Sequence, residues 1–270
     1  MTVVARIESA DDPRVELFRD VRDKDVRGRG DLFIGEQLLI LEKMLQHEGM
    51  TRSILVSDAM LPRVSELDTG SIPVHACSRN MLEQITGIDL HRGVLAAGER
   101  GMIDRRRVPE VMPAGQAPAT ILACDRISNI DNIGMLFRTA AALGVSGVLL
   151  SRDCHDPLYR KSLRVSVGHA LNIPYAWCDD LPDSIRWARS EMGFVAIGTS
   201  IQGQPVRDVH PGSLDRTLIV VGNEYEGVDG VTLAACDHSI RIPMADGVDS
   251  LNVATAAGIL LDRYTRGERR

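Results

Sequence analysis

Four apolar runs in the second half of the chain, ATILACD, SGVLLS, FVAIGTS and TLIVVG, each break off abruptly into polar or glycine residues. A strand buried on both faces reads as such a continuous run, whereas a half-exposed strand alternates. Between the runs, NIGMLFRTAAALG, DSIRWARSEMG and SLNVATAAGILLDRYTR carry the spacing of helices packed along one side. Shorter strands are expected at PYAWC and SIRIPM, and further helices near RKSLRVSVGHAL and VTLAAC. The pattern predicts an α/β fold, a mostly parallel sheet with helices on both faces.

The first half is less regular. LFIG, SILVSD, IPVHAC and GVLAAGE read as strands, QLLILEKMLQHEG and RNMLEQITG as helices, with Gly49 expected to close the first of these. Val15 and Phe18 mark a short amphipathic helix within a charged N-terminal stretch. The segment RGMIDRRRVPEVMPAGQAPA has no periodicity, which predicts a linker. The expected division is a small α/β domain over residues 1–100, a linker over 101–117 and a second domain over 118–270.

Charge and cysteine usage narrow the function classes. The net charge of −6 excludes a nucleic-acid clamp built from overall charge, though not a local basic patch. No run of roughly 18 apolar residues is present to span a membrane, and the charged N-terminus lacks the apolar core of a signal peptide. Cys77, Cys124, Cys154, Cys178 and Cys236 form no C-x-x-C pair, which argues against a disulfide framework or a cysteine-rich zinc site. His47, His75, His91, His155, His169, His210 and His238 lack metal-ligand spacing, so no metal is expected. A cytoplasmic protein follows as the expectation.

Three segments place polar residues just past apolar strands, where open α/β sheets bind ligands. The first runs from Asp125 to Gly134 and leads into a helix bearing Arg138. Asn129 and Asn132 serve equally well as caps, while Arg138 on a helix of Met, Leu, Phe and Ala needs a partner or a ligand. The second is Gly222-Asn-Glu224-Tyr-Glu-Gly227, where glycine lets a ligand approach the backbone and Glu224 can pair with a cation such as Arg138. The third follows Ile242 and reaches Ser250, Leu251 and Asn252. There Ser250 reads as the cap of the last helix, and Asn252 as a buried amide in need of partners. No G-x-G-x-x-G, Walker, H-E-x-x-H or G-x-S-x-G pattern competes with these three.

Taken in order, the segments resemble the SpoU (TrmH-type) RNA methyltransferases of the SPOUT superfamily. Asn132, Gly134 and Arg138-Thr-Ala-Ala are similar to N-x-G-x-x-x-R-[ST]-A, GNEYEG to G-x-E-x-x-G, and IPM with SLNVATA to I-P-M…S-L-N-V-[SA]. Towards the N-terminus, RDVRGRGDLFIGEQLLILEKML and HRGVLAAGER resemble the family's substrate-binding domain. The chain departs from the pattern in three places. Asn129-Ile130 stand where Asp-Pro is common, Glu36-Gln37 where E-G is usual, and His91-Arg92-Gly93 where H-Q-G is usual.

The resemblance implies a C-terminal domain with a trefoil knot, binding S-adenosylmethionine, in a homodimer with its sites at the subunit interface. Ordinary topology gives no independent reason to expect a knot. It implies methyl transfer to a ribose 2′-hydroxyl of rRNA or tRNA, with Asn132, Arg138, Glu224, Ser250 and Asn252 as catalytic residues. Thr199, Ser200, Gly222, Asn223, Ile242 and Leu251 would hold the cofactor. RNA contact would rest on a local patch of Arg14, Arg19, Arg22, Arg27 and Arg29. The alternatives are a non-catalytic RNA-binding protein that keeps the fold, or an α/β enzyme acting on a small nucleotide.

Overall fold

The computed structural model describes residues 4–21, 31–90, 92–209 and 215–265. Arg22, Arg27 and Arg29 of the expected RNA patch lie outside these residues. In chain order the strands are β1 (Val4–Arg6), β2 (Leu32–Glu36), β3 (Thr51–Ser57), β4 (Val74–Cys77), β5 (Val94–Glu99), β6 (Ala119–Asp125), β7 (Gly147–Ser151), β8 (Tyr175–Cys178), β9 (Val195–Pro205), β10 (Arg216–Gly222) and β11 (His238–Arg241). The helices are α1 (Leu38–Leu45), α2 (Leu61–Ser65), α3 (Arg79–Thr86), α4 (Val108–Val111), α5 (Ile130–Ala142), α6 (Arg160–Val165), α7 (Leu181–Met192), α8 (Gly230–Ala234) and α9 (Val253–Tyr264).

The chain divides into two compact units, Met1–Met102 with Pro157–Asn172, and Ile103–Asp156 with Ile173–Arg270. In the first, a mixed sheet has the order β1-β4-β3-β5-β2, with β5 antiparallel to both neighbours. Its core sets Ile34, Leu55 and Leu95 against Val15 and Phe18 of a 3₁₀ helix and Leu82 and Ile85 of α3. The expected amphipathic helix is thus a short 3₁₀ helix of two turns, Pro13–Phe18, capped by the Asp12 side chain. Helix α1 ends at Gln46, and Gly49 sits in the following turn with φ +76° rather than closing the helix.

The domain boundaries differ from the expected ones at two points. Residues 103–117 are not a free linker: Ile103, Val111 and Met112 are buried, and Val111 and Met112 join the core of the second unit. Residues 157–172 belong to the first unit because a buried charge there needs a partner. Glu36, 6% exposed, accepts a hydrogen bond from Arg160 Nη1 at 2.5 Å, and such a carboxylate left unpaired would be strongly destabilising.

The second unit is a six-stranded, wholly parallel sheet of order β11-β9-β10-β6-β7-β8. One face packs Ile121, Ala123, Leu218 and Val220 against Leu181, Ile185 and Ala188 of α7 and Val111 of α4. The alternate residues face the other way, where α5 and α9 lie side by side and α9 packs on β10. The chain order reverses between β6 and β10, so the loops leaving these neighbouring strands diverge. In parallel sheets that crevice is where ligands bind.

Candidate active site

Because all six strands run in one direction, the loops after β11, β9, β10 and β6 emerge side by side along one sheet edge. The three sequence segments meet there. Asn129 caps α5, its Oδ1 accepting from the N–H groups of Asp131 at 2.8 Å and Asn132 at 3.2 Å. This places Asn132, 5% exposed, in the first turn facing the loop after β10. Asn252 caps α9, its Oδ1 taken by the N–H groups of Ala254 and Thr255. Its Nδ2 can therefore only donate, and does so to Asn132 Oδ1 at 2.9 Å. Asn132 Nδ2 in turn donates to Glu224 Oε1 at 2.6 Å. The result is a one-way chain of hydrogen bonds ending on a carboxylate. The other oxygen of that carboxylate, Oε2, is buried with no hydrogen-bond partner among the described residues. Buried acceptors in folded proteins are paired as a rule, so an open one at a strand-end crevice suits an incoming donor.

The loop carrying Glu224 is fixed from behind by residues to which sequence reasoning assigned no such role, Asn223 having been expected to hold the cofactor. Asn223 Nδ2 donates to the carbonyl of Arg126 at 2.9 Å, and its Oδ1 accepts from the N–H of Tyr225 at 2.9 Å. Arg126 adopts φ +55°, which costs a non-glycine residue about 1–2 kcal/mol. In that conformation its Nη1 reaches Glu226 Oε2 at 2.6 Å. Asp125, 3% exposed, accepts from the N–H of Asp229 at 2.8 Å. Burial raises the Asp125 carboxyl above the usual aspartate range, with that N–H opposing the shift. The polar character of Asp125-Arg126 directly after β6 was the available signal, but nothing in one dimension couples it to Glu226.

Several expected roles are corrected. Arg138 does not pair with Glu224: it is exposed on α5 and makes no hydrogen bond or ion pair with another described residue. Ser250 does not cap the last helix. Asn252 does, and Ser250 stands exposed in the preceding loop, because the helical path begins only at Val253. At Gly222 the close neighbour is the protein itself, since a Cβ there would lie 2.2 Å from Gly227 C and Val228 N. The side chain of Asn223 is spent on shaping its own loop. Arg14 and Arg19 of the expected RNA patch are engaged locally, Arg14 with Asp12 and Arg19 with Glu16 and the carbonyl of Ala10.

Of the remaining expected cofactor residues, Thr199 and Ser200 lie within β9, and Ile242 and Leu251 in the segment after β11. Strand β9 pairs Gly198 with Ser239 of β11 and then Gln204 with Ile240, so residues 199–203 bulge out of the ladder with Thr199 and Ser200 at the start. Ile242 follows β11 directly and is half-buried, and Leu251 is 38% exposed. The bulge frees backbone donors and acceptors beside two apolar side chains. Among the described residues no cluster of His, Cys, Asp and Glu could hold a metal, and no helix is long and apolar enough to cross a membrane.

Residues 119–262 match the SpoU rRNA Methylase family. An uncharacterized tRNA/rRNA methyltransferase of Mycobacterium bovis is 34% identical over 267 residues, spanning 95% of this chain and 90% of the relative. A 23S rRNA (guanosine(2553)-2′-O)-methyltransferase of Bacillus subtilis is 30% identical over 258 residues, spanning 95% and 97%. The crystal structure of an AdoMet-bound rRNA methyltransferase from Sinorhizobium meliloti is similar with a TM-score of 0.79 at 26% identity, over 97% of each chain.

Proposed function

This chain belongs to the SpoU rRNA Methylase family, and from that membership we propose that it methylates a ribose 2′-hydroxyl of rRNA or tRNA. The methyl donor in this reading is S-adenosylmethionine, and the enzyme works as a cytoplasmic homodimer. The residues present suit that donor. The bulged backbone at Thr199 and Ser200 offers hydrogen bonds to the edge of a purine, and Ile242 and Leu251 offer apolar contact to its faces. The donor supplies an electrophilic methyl group on a sulfonium.

The chain's own residues then orient the acceptor. Attack is an in-line displacement, so holding the hydroxyl in place supplies much of the rate. The open Oε2 of Glu224 accepts a hydrogen bond from the ribose hydroxyl and takes its proton as the new oxygen–carbon bond forms and the carbon–sulfur bond breaks. Asn132 and Asn252 keep that carboxylate turned towards the crevice. Ser250, exposed beside them, aligns the ribose. A guanidinium cannot accept a proton, so Arg138 serves as a clamp on the adjacent phosphate. Being exposed and unpaired, it is free to reach the site of a second copy. Residues 1–100 form the RNA-gripping part in this reading.

The observation that carries the proposal is the Asn252–Asn132–Glu224 chain with its open oxygen, in which Asn132 meets groups 92 and 120 positions further along the sequence. The test is incorporation of labelled methyl from S-adenosylmethionine into protein-free ribosomal and transfer RNA, followed by alkaline hydrolysis. A 2′-O-methylated ribose blocks cleavage of the next phosphodiester, so the label should emerge in alkali-resistant dinucleotides. Label on a base, released in mononucleotides, would refute the ribose assignment.

A further inference from the structure

Within the first unit lies a cleft of about 730 Å³. Its walls carry Arg63, Arg92 and Arg164 against one acid, Glu42, in a chain whose net charge is −6. None of the three guanidinium charges is fully neutralised by the described residues. Arg63 is exposed and has no hydrogen bond or ion pair with another described residue. Arg92 donates to a neutral group, Gln37 Oε1, at 2.9 Å. Arg164 stands 3.5 Å from Glu36 Oε2, an oxygen that Arg160 already holds at 2.5 Å. Leu39, 46% exposed, and Met60 add an apolar surface to the same cleft.

The backbone of the cleft is held in conformations that side chains normally avoid. Gln37 has φ +93° and ψ +149°, a region otherwise occupied by glycine, and Val167 on the lining has φ +54°. Gln37 is kept there by bonds on both sides. Its N–H donates to Val94 O at 3.0 Å, and its carbonyl accepts from the N–H groups of Ile40 and Leu41. Gln37 and Arg92 touch each other across 55 positions of sequence, so the strained backbone at the rim carries one of the cleft's cations.

We propose that this cleft binds a single-stranded segment of the substrate RNA, and that the Gln37–Arg92 pair helps to select which RNA is bound. The proposal rests on the methyltransferase reading. Three forked guanidinium groups match successive phosphates of one strand. An unstacked base can lie on Leu39 and Met60, with the Glu42 carboxylate accepting from an N–H on its edge.

The test uses the full chain, protein-free ribosomal RNA, and a labelled single-stranded oligonucleotide with its duplex as competitor. Arg63→Ala with Arg164→Ala should weaken binding of the single strand at least tenfold. It should also flatten the salt dependence of log K by about 1.4, the value for two lost phosphate contacts. KM for ribosomal RNA should rise, while kcat and calorimetric binding of S-adenosylmethionine stay unchanged. Arg92→Gln with Gln37→Gly, which removes the pair and its charge, should redistribute methylation among RNA sites. Unchanged affinity and salt slope in the arginine variant would overturn the cleft while leaving the enzyme reading intact. Equal competition by duplex would overturn the single strand as occupant, and an unaltered methylation pattern would overturn the selecting role of the pair. Failure of the unaltered protein to methylate any RNA would strike the enzyme reading instead.

Discussion

If Arg138 works in the site of a second copy, two inactive variants should rescue each other. Asn132 and Arg138 lie on the same helix, six residues apart, which is about 9 Å along the axis and about 120° around it. Asn132 faces Glu224 and Asn252, so Arg138 points away from them and into solvent. Asn132→Ala and Arg138→Ala should each lower kcat on the order of 100-fold, comparable to losing one group that stabilises a transition state. In a symmetric dimer of one Asn132→Ala and one Arg138→Ala subunit, one site holds both defects and the other holds none. Purified through two different tags, that mixed dimer should regain about half the wild-type rate, and a random equimolar mixture about a quarter. Melting temperatures of the parents report whether they remain folded. A mixed dimer as inactive as its parents would mean that Arg138 acts within its own chain or not at all.

Other outcomes follow from the same geometry. Arg126→Ala should lower kcat about tenfold, some 1.4 kcal/mol, by freeing the Glu224 loop. Arg126→Gly should match it in activity but melt higher, because glycine accepts φ +55° without strain; equal melting would count against that strain. The raised carboxyl of Asp125 binds its proton more tightly in the folded chain, so its stabilising contribution is complete below about pH 4 and is lost as pH rises through the folded value. Asp125→Asn should therefore gain melting temperature over the wild type as pH rises from about 4, and a difference flat with pH would contradict the assignment. Burial pushes the thiols of Cys77 and Cys154 up to about 11 and that of Cys236 to about 12, with Cys124 raised well beyond its ordinary value. At pH 8 Ellman's reagent should leave all five cysteines unreacted in the native protein, and fast release from Cys236 would contradict this.

The fold was legible wherever burial is complete on both faces. ATILACD and TLIVVG become β6 and β10 residue for residue but for an added Arg216, since an inner parallel strand leaves no polar position to blur the run. Pieces too short to repeat a period more than once left no mark here: β1 has three residues and α2 five, and neither was foreseen. The return of residues 157–172 to the first unit was equally hidden. It depends on a tertiary demand, the buried Glu36 carboxylate, met by an arginine 124 positions away.

The site was legible as a set of residues but not as a set of contacts. Asn132, Glu224 and Asn252 stood out as polar groups in the segments that follow buried strands, and the structure joins all three, although Asn252 is exposed rather than the buried amide expected. Which of Ser250 and Asn252 caps α9 could not be read, because both are good caps and only the path of the chain into Val253 decides. The assignment of Glu224 to Arg138 went wrong for a related reason. Opposite charge suggested the pair, yet helix geometry turns Arg138 away and gives the carboxylate to a neutral amide. That substitution has a chemical consequence. A guanidinium would neutralise Glu224, whereas an amide on one oxygen orients the carboxylate and leaves its charge to act on whatever donor enters the crevice. A site meant to draw a proton from a hydroxyl is better served by the second arrangement, with the guanidinium kept for the phosphate.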